Sequence, residues 1–329
     1  MNEKTIQTGA LSEVSTLTPK EKALNTAKKL VPFLGIILMI IIFQTAGHGK
    51  LLAKGNVNSI INQTVYVAIM SFGAVFVYSH GGMDLSYGSI LGFSVLIGIF
   101  VANTGAPLPV IILSNIGAAL IWSLLNGFCS IYLKVSSFIV SLCIMYMCRG
   151  ILNTVCASQK YSVPVEIYSY DSRQIKLTVL IISFIVCYFL FEKSALGKAN
   201  KAIGGNERAA RIAGVNVEKM RMLAYIVSGI TIGISAFILM ARAGSVSTST
   251  GQGLEMNVVT ALVLGGVPLS GGSRVRMSGA LVGSFSVIIL RNGLIILGVN
   301  ERLVEGIQGI VLLLLVLLTY VKNKDGIEN

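Results

Sequence analysis

The stretch KSALGKANKAIGGNERAARIAGVNVEKMR, residues 193–221, decides how the rest of the chain is interpreted. Segments 175–191 and 223–240, on either side of it, are almost wholly apolar and close to the length of a membrane helix. Loops rich in Lys and Arg between two membrane spans are retained in the cytoplasm. The pattern therefore predicts a cytoplasmic loop between two spans. A solvated loop that only orients the chain is the alternative left open.

The same loop contains the signals of a short helix. Residues 207–213 have helix-forming composition, with several alanines on one face. The residues Gly-Gly-Asn at 204–206 supply a turn and an N-cap, and Gly214 supplies a helix stop. We therefore expect a short cytoplasmic helix on which a soluble partner can press.

The composition is that of a membrane protein with many spans. The 329 residues are 54% hydrophobic and only 12% charged, and the mean hydropathy is +0.79. The apolar segments are continuous rather than alternating, which favours helices over a barrel. The formal charge of +12 comes from basic residues between apolar segments and at the termini. Their partner is thus expected to be anionic lipid head groups and not nucleic acid.

An all-α polytopic fold with about ten transmembrane helices and an internal repeat is predicted. Basic residues concentrate in the segments that this count places inside, which predicts that both termini are cytoplasmic. Segment 256–269 is short and rich in glycine, and we expect it to be broken or re-entrant. The predicted spans are 31–46, 60–79, 86–101, 108–133, 138–156, 175–191, 223–240, 256–269, 278–297 and 303–320. The domains are a cytoplasmic tail that can carry an amphipathic helix (1–30), a transmembrane domain (31–320) with a cytoplasmic loop (193–222), and a second cytoplasmic tail (321–329).

A glycine motif occurs twice. GGMDLSYGS at 81–89 and GGVPLSGGS at 265–273 agree at six of nine positions, and both interrupt apolar sequence. Interrupted hydrophobic segments at matching places often mark the pathway of a transporter. The alternative is a pair of ordinary tight turns. The residues predicted to line or gate a pathway are Gly81, Gly82, Asp84, Ser86, Gly88, Asn126, Gly265, Gly266, Ser270, Gly271 and Gly272.

Two of these residues have further interpretations. Asp84 is expected mainly to cap the span that begins near Ser86, with a gating role second. Asn126 places an amide within a long apolar segment, where it serves an interhelical hydrogen bond or a solute path. The span count puts both glycine motifs after crossings in the same direction, which makes the repeat parallel. Inverted halves would contradict either this count or the repeat.

The chain also resembles a known family. AIGGNERAARIAGVNV (202–217), together with GGMDLSYGSILG (81–92) and ALVLGGVPLSGG (261–272), is similar to the permease subunit of ribose-type ATP-binding-cassette (ABC) importers. The resemblance implies two permease copies around one pathway, and a solute-binding protein that docks on the outer loops 157–174 and 243–255. It also implies a coupling helix that docks on a separate ATPase subunit, a role that falls to Gly204, Gly205, Asn206, Glu207, Ala210, Arg211 and Gly214.

The resemblance implies import of a ribose-like pentose or a related sugar across the bacterial inner membrane. An ABC permease for nucleosides or for a furanose-like signal molecule is an alternative. A self-sufficient transporter driven by an ion gradient is another, although only Asp84 and Glu305 are candidate acids for the coupling ion.

Energy-converting chemistry is not expected in this chain. It contains no GxxxxGK[ST] phosphate loop, no nucleophile with a matching base and no metal-ligand spacing. The five cysteines are interpreted as small buried apolar residues. We therefore predict a transport subunit that is not an enzyme and has no catalytic, cofactor or metal site.

Overall fold

The computed structural model describes residues 34–268, 271–272 and 275–324. The predicted tail 1–30, the last five residues of the predicted tail 321–329, and Ser270 lie outside these residues. The helices are α1 (Leu34–Ala46), α2 (Lys54–Ser79), α3 (Tyr87–Ala102), α4 (Leu108–Ile131), α5 (Ser137–Cys156), α6 (Arg173–Tyr188), α7 (Ala195–Gly205), α8 (Glu207–Ile212), α9 (Val217–Ala243), α10 (Leu254–Leu264), α11 (Met277–Ile296) and α12 (Glu301–Lys324). A 3₁₀ turn covers Val165–Tyr170, a π turn covers Phe189–Lys193, and two short strands are β1 (Tyr161–Ser162) and β2 (Ser245–Val246).

Six of the described helices are long and apolar enough to cross a membrane. They are α2, α4, α5, α6 with the π turn that follows it, α9 and α11. Helices α1, α3 and α10 and part of α12 are apolar but shorter. The predicted class, a helical protein with several spans, is therefore correct. The count of ten and the internal repeat stay predictions.

The short helix α10 replaces most of the predicted span 256–269. It has 11 residues, and at 1.5 Å per residue it is about 16 Å long, roughly half of a hydrocarbon core about 30 Å thick. The chain before it, 247–253, folds into tight turns with positive φ at Gly251 and Gly253. The glycines end regular structure here because they adopt the left-handed region at little steric cost.

Helices α2 and α9 form the centre of the bundle. In α2, 78% of the most apolar 18 residues are buried, against 28% in each of α4, α5 and α6. Its sequence is apolar all round, which is the pattern of a helix surrounded by others. Close contact with α9 depends on Gly73, because a Cβ there would lie 2.9 Å from the Ser228 Cα. The outer helices leave apolar side chains exposed, as a membrane surround requires.

The loops 157–172 and 244–253 are joined by β1 and β2. The strands pair antiparallel, with Tyr161 opposite Val246 and Ser162 opposite Ser245. Beyond the pair, the Val163 N–H donates to the Gly244 carbonyl at 2.9 Å. The predicted outer loops therefore lie side by side and form one surface.

The cysteines agree only in part with their interpretation. Cys148, Cys156 and Cys187 are buried, and Cys129 is intermediate. Cys143 is exposed on the outward face of α5, because this helix lies at the edge of the bundle in a single chain.

Candidate functional site

The predicted short helix proves to be a pair of helices, α7 and α8. Asn206 caps α8, since its Oδ1 accepts a hydrogen bond from the Ala209 N–H at 3.0 Å. Gly214 ends the turn after α8 with a φ of +84°. These two predictions are correct, and the helix ends one residue early, at Ile212. Helix α7 is an addition, and it starts at Ser194, whose side chain accepts from the Leu196 N–H.

The helix pair has a small core of its own. Ile203, Ala210 and Val217 are buried together, apart from the main apolar core of the bundle. Val215 and Met220 cover this cluster in part. One apolar side chain from each of α7, α8 and α9 therefore contributes to packing the pair against the start of α9.

An ion network reinforces the same pair. Glu207 contacts Arg211 at 3.2 Å and Arg221 at 2.7 Å, and Arg211 reaches Glu218 at 2.8 Å. Partial burial works to raise the pKa of the Glu207 carboxyl, but the Arg221 and Arg211 guanidinium groups outweigh it. The pKa of this carboxyl therefore lies below its ordinary value.

The outward side of the helix pair suits contact with another protein. Ile212 is 81% exposed although it is apolar, and the exposed side chains of Arg208 and Arg211 lie beside it in the sequence. Ala210 and Gly204 do not belong to this surface, because Ala210 is in the small core and Gly204 faces the bundle. The predicted coupling residues that are exposed are Gly205, Asn206, Arg211 and Gly214, with Glu207 half-buried.

Gly204, in the predicted cytoplasmic loop, is in contact with Gly272 of the second glycine motif and with Ser79, just before the first. We call 80–86 and 265–276 the two glycine loops. The Gly272 N–H of the second donates at 2.9 Å to the carbonyl of Ser79, the last residue of α2, directly before the first. A Cβ on Gly204 would overlap the Ser79 carbonyl oxygen and lie 2.7 Å from the Gly272 nitrogen. A Cβ on Gly271 would lie 2.7 Å from the Gly81 nitrogen. We call this contact of Ser79–Gly81, Gly271–Gly272 and Gly204 the glycine junction.

Hydroxyl groups of α5 hold the first glycine loop. The Met83 N–H donates to Ser137 Oγ at 2.9 Å, and the Leu85 N–H donates to Ser141 Oγ at 3.1 Å. The loop has no regular structure, so its buried N–H groups need partners of this kind. Gly82 lies inside the loop, where a Cβ would be 2.8 Å from the His80 ring.

Asp84 is fully buried but does not cap α3. The N-cap residue is Ser86, whose side chain makes no capping hydrogen bond. Asp84 Oδ1 accepts from the Ser86 N–H at 2.8 Å and from its hydroxyl at 2.5 Å. The carboxyl thus closes a turn ahead of the helix, a common alternative for Asp near a helix start, and the capping prediction is wrong in this detail.

Asn126 of α4 belongs to the same buried polar group. It is fully buried, accepts from Ser130 Oγ at 3.1 Å, and lies close enough to the Asp84 carboxyl to interact with it. Its Nδ2 and the Asp84 Oδ2 make no hydrogen bond of ordinary geometry within the described chain. The hydrogen bond to Ser130 lies within α4, so the predicted role of Asn126, in an interhelical hydrogen bond or along a solute path, stays a prediction.

The remaining predicted pathway residues lie apart from the junction. Gly88, at the start of α3, packs against the Gly251 carbonyl and the Glu255 carboxylate. Gly265 packs against the Gly279 carbonyl of α11. Gly266 has a φ of +79° and open space around its Cβ position. The ten predicted pathway residues that the structure describes thus lie in the junction, in a buried polar group, in close helix contacts or, for Gly82 and Gly266, within the loops themselves.

Glu192 is a connecting residue that the sequence did not indicate. Its Oε2 pairs with Lys201 Nζ at 2.6 Å, and its Oε1 accepts from the Met277 N–H at 3.1 Å. It therefore links the end of α6, helix α7 and the start of α11. Its one signal is its position as an acid at the edge of a basic loop, which does not identify its partners.

Comparisons with known proteins agree with this architecture. The model of the family described as the branched-chain amino acid transport system permease component matches residues 56–316. The chain is 31% identical to the ribose import permease protein of Bacillus subtilis, over 90% of this chain and 94% of that protein. It is 29% identical to the xylose transport system permease protein of Haemophilus influenzae, over 87% and 94% of the two chains. It is 28% identical to the galactofuranose transporter permease protein of Escherichia coli, over 79% and 78%. No solved structure matches the chain.

Proposed function

The chain belongs to the family of permease components that includes the ribose-type importers of the ABC class, and from this premise we propose that it forms the translocation pathway for a monosaccharide. It is a multi-pass protein of the bacterial inner membrane. Relatives that match most of the chain are named for ribose, xylose and galactofuranose. A ribose-like pentose or a related sugar is therefore the proposed solute.

The observation that carries the proposal is the glycine junction. It brings the helix pair α7–α8 into backbone contact with Ser79, at the end of α2, and with the second glycine loop, with no side chain between them. Displacement of the pair therefore acts directly on the end of α2 and on the loop segment Gly271–Gly272 that precedes α11. We propose that a separate ATPase subunit docks on the exposed side of the pair, at Gly205, Asn206, Arg211 and Gly214, and drives this displacement by its ATP-dependent closure.

The other partners follow from the same arrangement. A second copy of the permease completes the pathway. A solute-binding protein docks on the surface that β1 and β2 join. Both termini and the helix pair face the cytoplasm, in agreement with the distribution of basic residues.

Reconstitution tests the proposal. The permease is placed in proteoliposomes with its ATPase subunit and solute-binding protein, and uptake of labelled ribose is followed. Uptake is expected only when ATP and both partners are present. Uptake that persists without the ATPase and follows a proton or sodium gradient would establish the ion-coupled alternative instead.

Crosslinking locates the docking surface. A cysteine at Arg208, on the exposed side of the helix pair, is expected to crosslink to the ATPase subunit, whereas a cysteine at Val165, which is 80% exposed near β1, is not. The reverse result would place the ATPase at the opposite end and end the proposal.

The identity of the solute has its own test. The family description names branched-chain amino acids, whereas the three relatives above name sugars. Unlabelled ribose and xylose are expected to reduce uptake of labelled ribose, and leucine is not. Competition by a nucleoside or a furanose derivative alone would move the assignment to that alternative.

A further inference from the structure

A second polar site lies where α5, α10 and the segment after β2 meet. Arg149 of α5 donates from Nη1 to the Thr250 carbonyl at 2.7 Å. Its Nη2 faces Glu255 Oε2, in the first turn of α10, at 3.8 Å. Both side chains are only 16% exposed. A charge pair buried among membrane helices is costly to maintain and commonly marks a functional position.

Glycines of α3 make room for this site. A Cβ on Gly88 would overlap the Glu255 carboxylate, and a Cβ on Gly92 would lie 2.6 Å from the Thr250 carbonyl oxygen. Positive φ at Gly251 turns the chain so that this carbonyl reaches Arg149. The backbones of α3 and of the segment before α10 are therefore shaped around the pair.

Arg149 and Glu255 face each other without a direct hydrogen bond, and we call this an open pair. The 3.8 Å between Nη2 and Oε2 exceeds a hydrogen-bond distance, and neither atom has a hydrogen-bond partner among the described residues. The Nη1 contact holds the guanidinium in place, so Nη2 remains as a donor and Oε2 as an acceptor. A hydroxyl group both accepts and donates, so it is the simplest group that could bridge a donor and an acceptor of this kind.

A second arginine–glutamate pair in the chain shows that this gap is not general. Arg291 of α11 and Glu301 of α12 are in direct contact, and the Glu301 side chain is 69% exposed. In that pair the two charged groups are hydrogen-bonded directly to each other, and the carboxylate lies at the surface. The Arg149–Glu255 pair is buried and unsatisfied, which is the arrangement expected of a site that receives a polar group from a ligand.

The positions around the pair are open or polar. The Cβ position of Gly150, the residue after Arg149, has no heavy atom within 4 Å. The carboxylate of Glu305, from α12, also approaches, because Glu305 Oε1 is 2.8 Å from the Cβ position of Gly253.

We propose that Arg149 and Glu255 bind a hydroxyl group of the solute during its passage, with Arg149 as donor and Glu255 as acceptor. This inference rests on the proposed function and adds to it the residues that contact the sugar. A trapped water molecule would bridge the same two atoms. In that case variants of the pair would import normally, or would lose uptake, ATP hydrolysis and thermal stability together.

The test uses the complete importer in proteoliposomes, with labelled ribose as the probe. The variant E255Q preserves the shape of the side chain but removes its charge. Uptake is expected to fall about tenfold or more, which is the range for loss of a charged hydrogen-bond partner. Hydrolysis of ATP stimulated by the binding protein is expected to continue, because the junction and the helix pair are untouched.

Two double variants separate binding from structure. R149M/E255L replaces the whole pair with apolar groups, which relieves the buried charges, and it is expected to hydrolyse ATP without importing ribose. R291M/E301L is the matched control and is expected to import normally. Normal uptake by E255Q and R149M/E255L overturns the inference, as does a parallel loss of uptake, hydrolysis and thermal stability. Absence of ATP-driven ribose uptake by the unaltered importer instead overturns the proposed function.

Discussion

The two glycine loops share most of their sequence but are held in different ways. In the first loop, N–H groups of Met83 and Leu85 bind hydroxyl groups of α5, and Asp84 closes a buried turn. In the second, no described residue between Gly265 and Arg276 takes part in a side-chain hydrogen bond, and φ is positive at Gly266, Gly271 and Gly272. The second loop is joined through the Gly272 N–H to Ser79, directly before the first.

The comparison shows that similar turn residues specify a similar backbone shape but do not specify which other residues hold the loop in place. Both loops turn the chain sharply after a buried helix, as their Gly and Ser residues require. The hydroxyls that fix the first loop belong to α5, more than fifty residues away in sequence. The first loop is therefore part of the bundle, and the second depends on the first.

The largest expected effect is at Gly271. An alanine there must adopt a φ of +77° and also place its Cβ 2.7 Å from the Gly81 nitrogen. Strain and overlap together are expected to lower the free energy of unfolding by about 4 kcal/mol. Gly266 is the control, because its φ is +79° but its Cβ position is open, and G266A is expected to cost about 1 kcal/mol. Unfolding of the purified permease in mixed micelles measures both, and equal losses would show that the loops do not depend on each other.

The next effect is at Gly204, which contacts Ser79 before the first loop and Gly272 of the second. A G204A variant would push its Cβ against the Ser79 carbonyl, and we expect a loss of about 3 kcal/mol. Gly205 has no heavy atom within 4 Å of its Cβ position, so G205A is expected to change stability by less than about 0.5 kcal/mol. The same unfolding assay compares the two. Equal stability of both variants would contradict the contact between α7 and the loops.

A smaller effect tests the attachment of the first loop alone. An S141A variant leaves the Leu85 N–H without its partner, and the expected loss is about 1.5 kcal/mol. Ser114 is the control, since its hydroxyl bonds only the Ile111 carbonyl of its own helix. S114A is expected to cost less than about 0.5 kcal/mol. If thermal denaturation shows no difference between these variants, the hydroxyls of α5 do not hold the loop.

The smallest effect concerns the helix pair that takes part in the glycine junction. The pKa of Glu207 is lowered in the folded protein, so its ionised form stabilises the fold above the ordinary pKa of about 4.3. That contribution is lost as the pH falls through the lower folded value. Because the side chain is 41% exposed, E207Q is expected to cost less than about 1 kcal/mol at pH 7. The difference should shrink as the pH falls below the ordinary pKa, disappear once the pH is below the lowered folded pKa, and be smaller in high salt; a difference that persists in strong acid would rule out the ion network as its source.

Much of this architecture is predictable from local sequence. Apolar composition identifies the class, and Asn206 and Gly214 mark the ends of α8 because capping chemistry acts over a few residues. The short length of α10 is predictable in the same way, from the glycines that flank it, Gly253 and Gly265. Helix α7 was missed because Gly197, Gly204 and Gly205 lower its helix propensity. Its packing against the Phe191 backbone overrides that preference.

The glycine junction cannot be predicted from local sequence. Gly204 and Gly271 are both recognisable as unusual, but nothing in either motif indicates that they meet. Their contact depends on how α2, α10 and α11 pack, which is a property of the whole bundle. The open pair of Arg149 and Glu255 is hidden for the same reason, since over a hundred residues separate its members.

The segment before the short helix α10, 247–253, consists of tight turns, and this affects how fast its amide hydrogens exchange with deuterium. The turns at 247–253 close over three residues each, as between the Thr250 N–H and the Ser247 carbonyl, whereas α2 carries an unbroken helical ladder inside the bundle. Short local turns open at lower free energy than a buried helix. Amide hydrogens of this segment therefore exchange early, although the Gly251 carbonyl that packs on Gly88 lies deep among the helices.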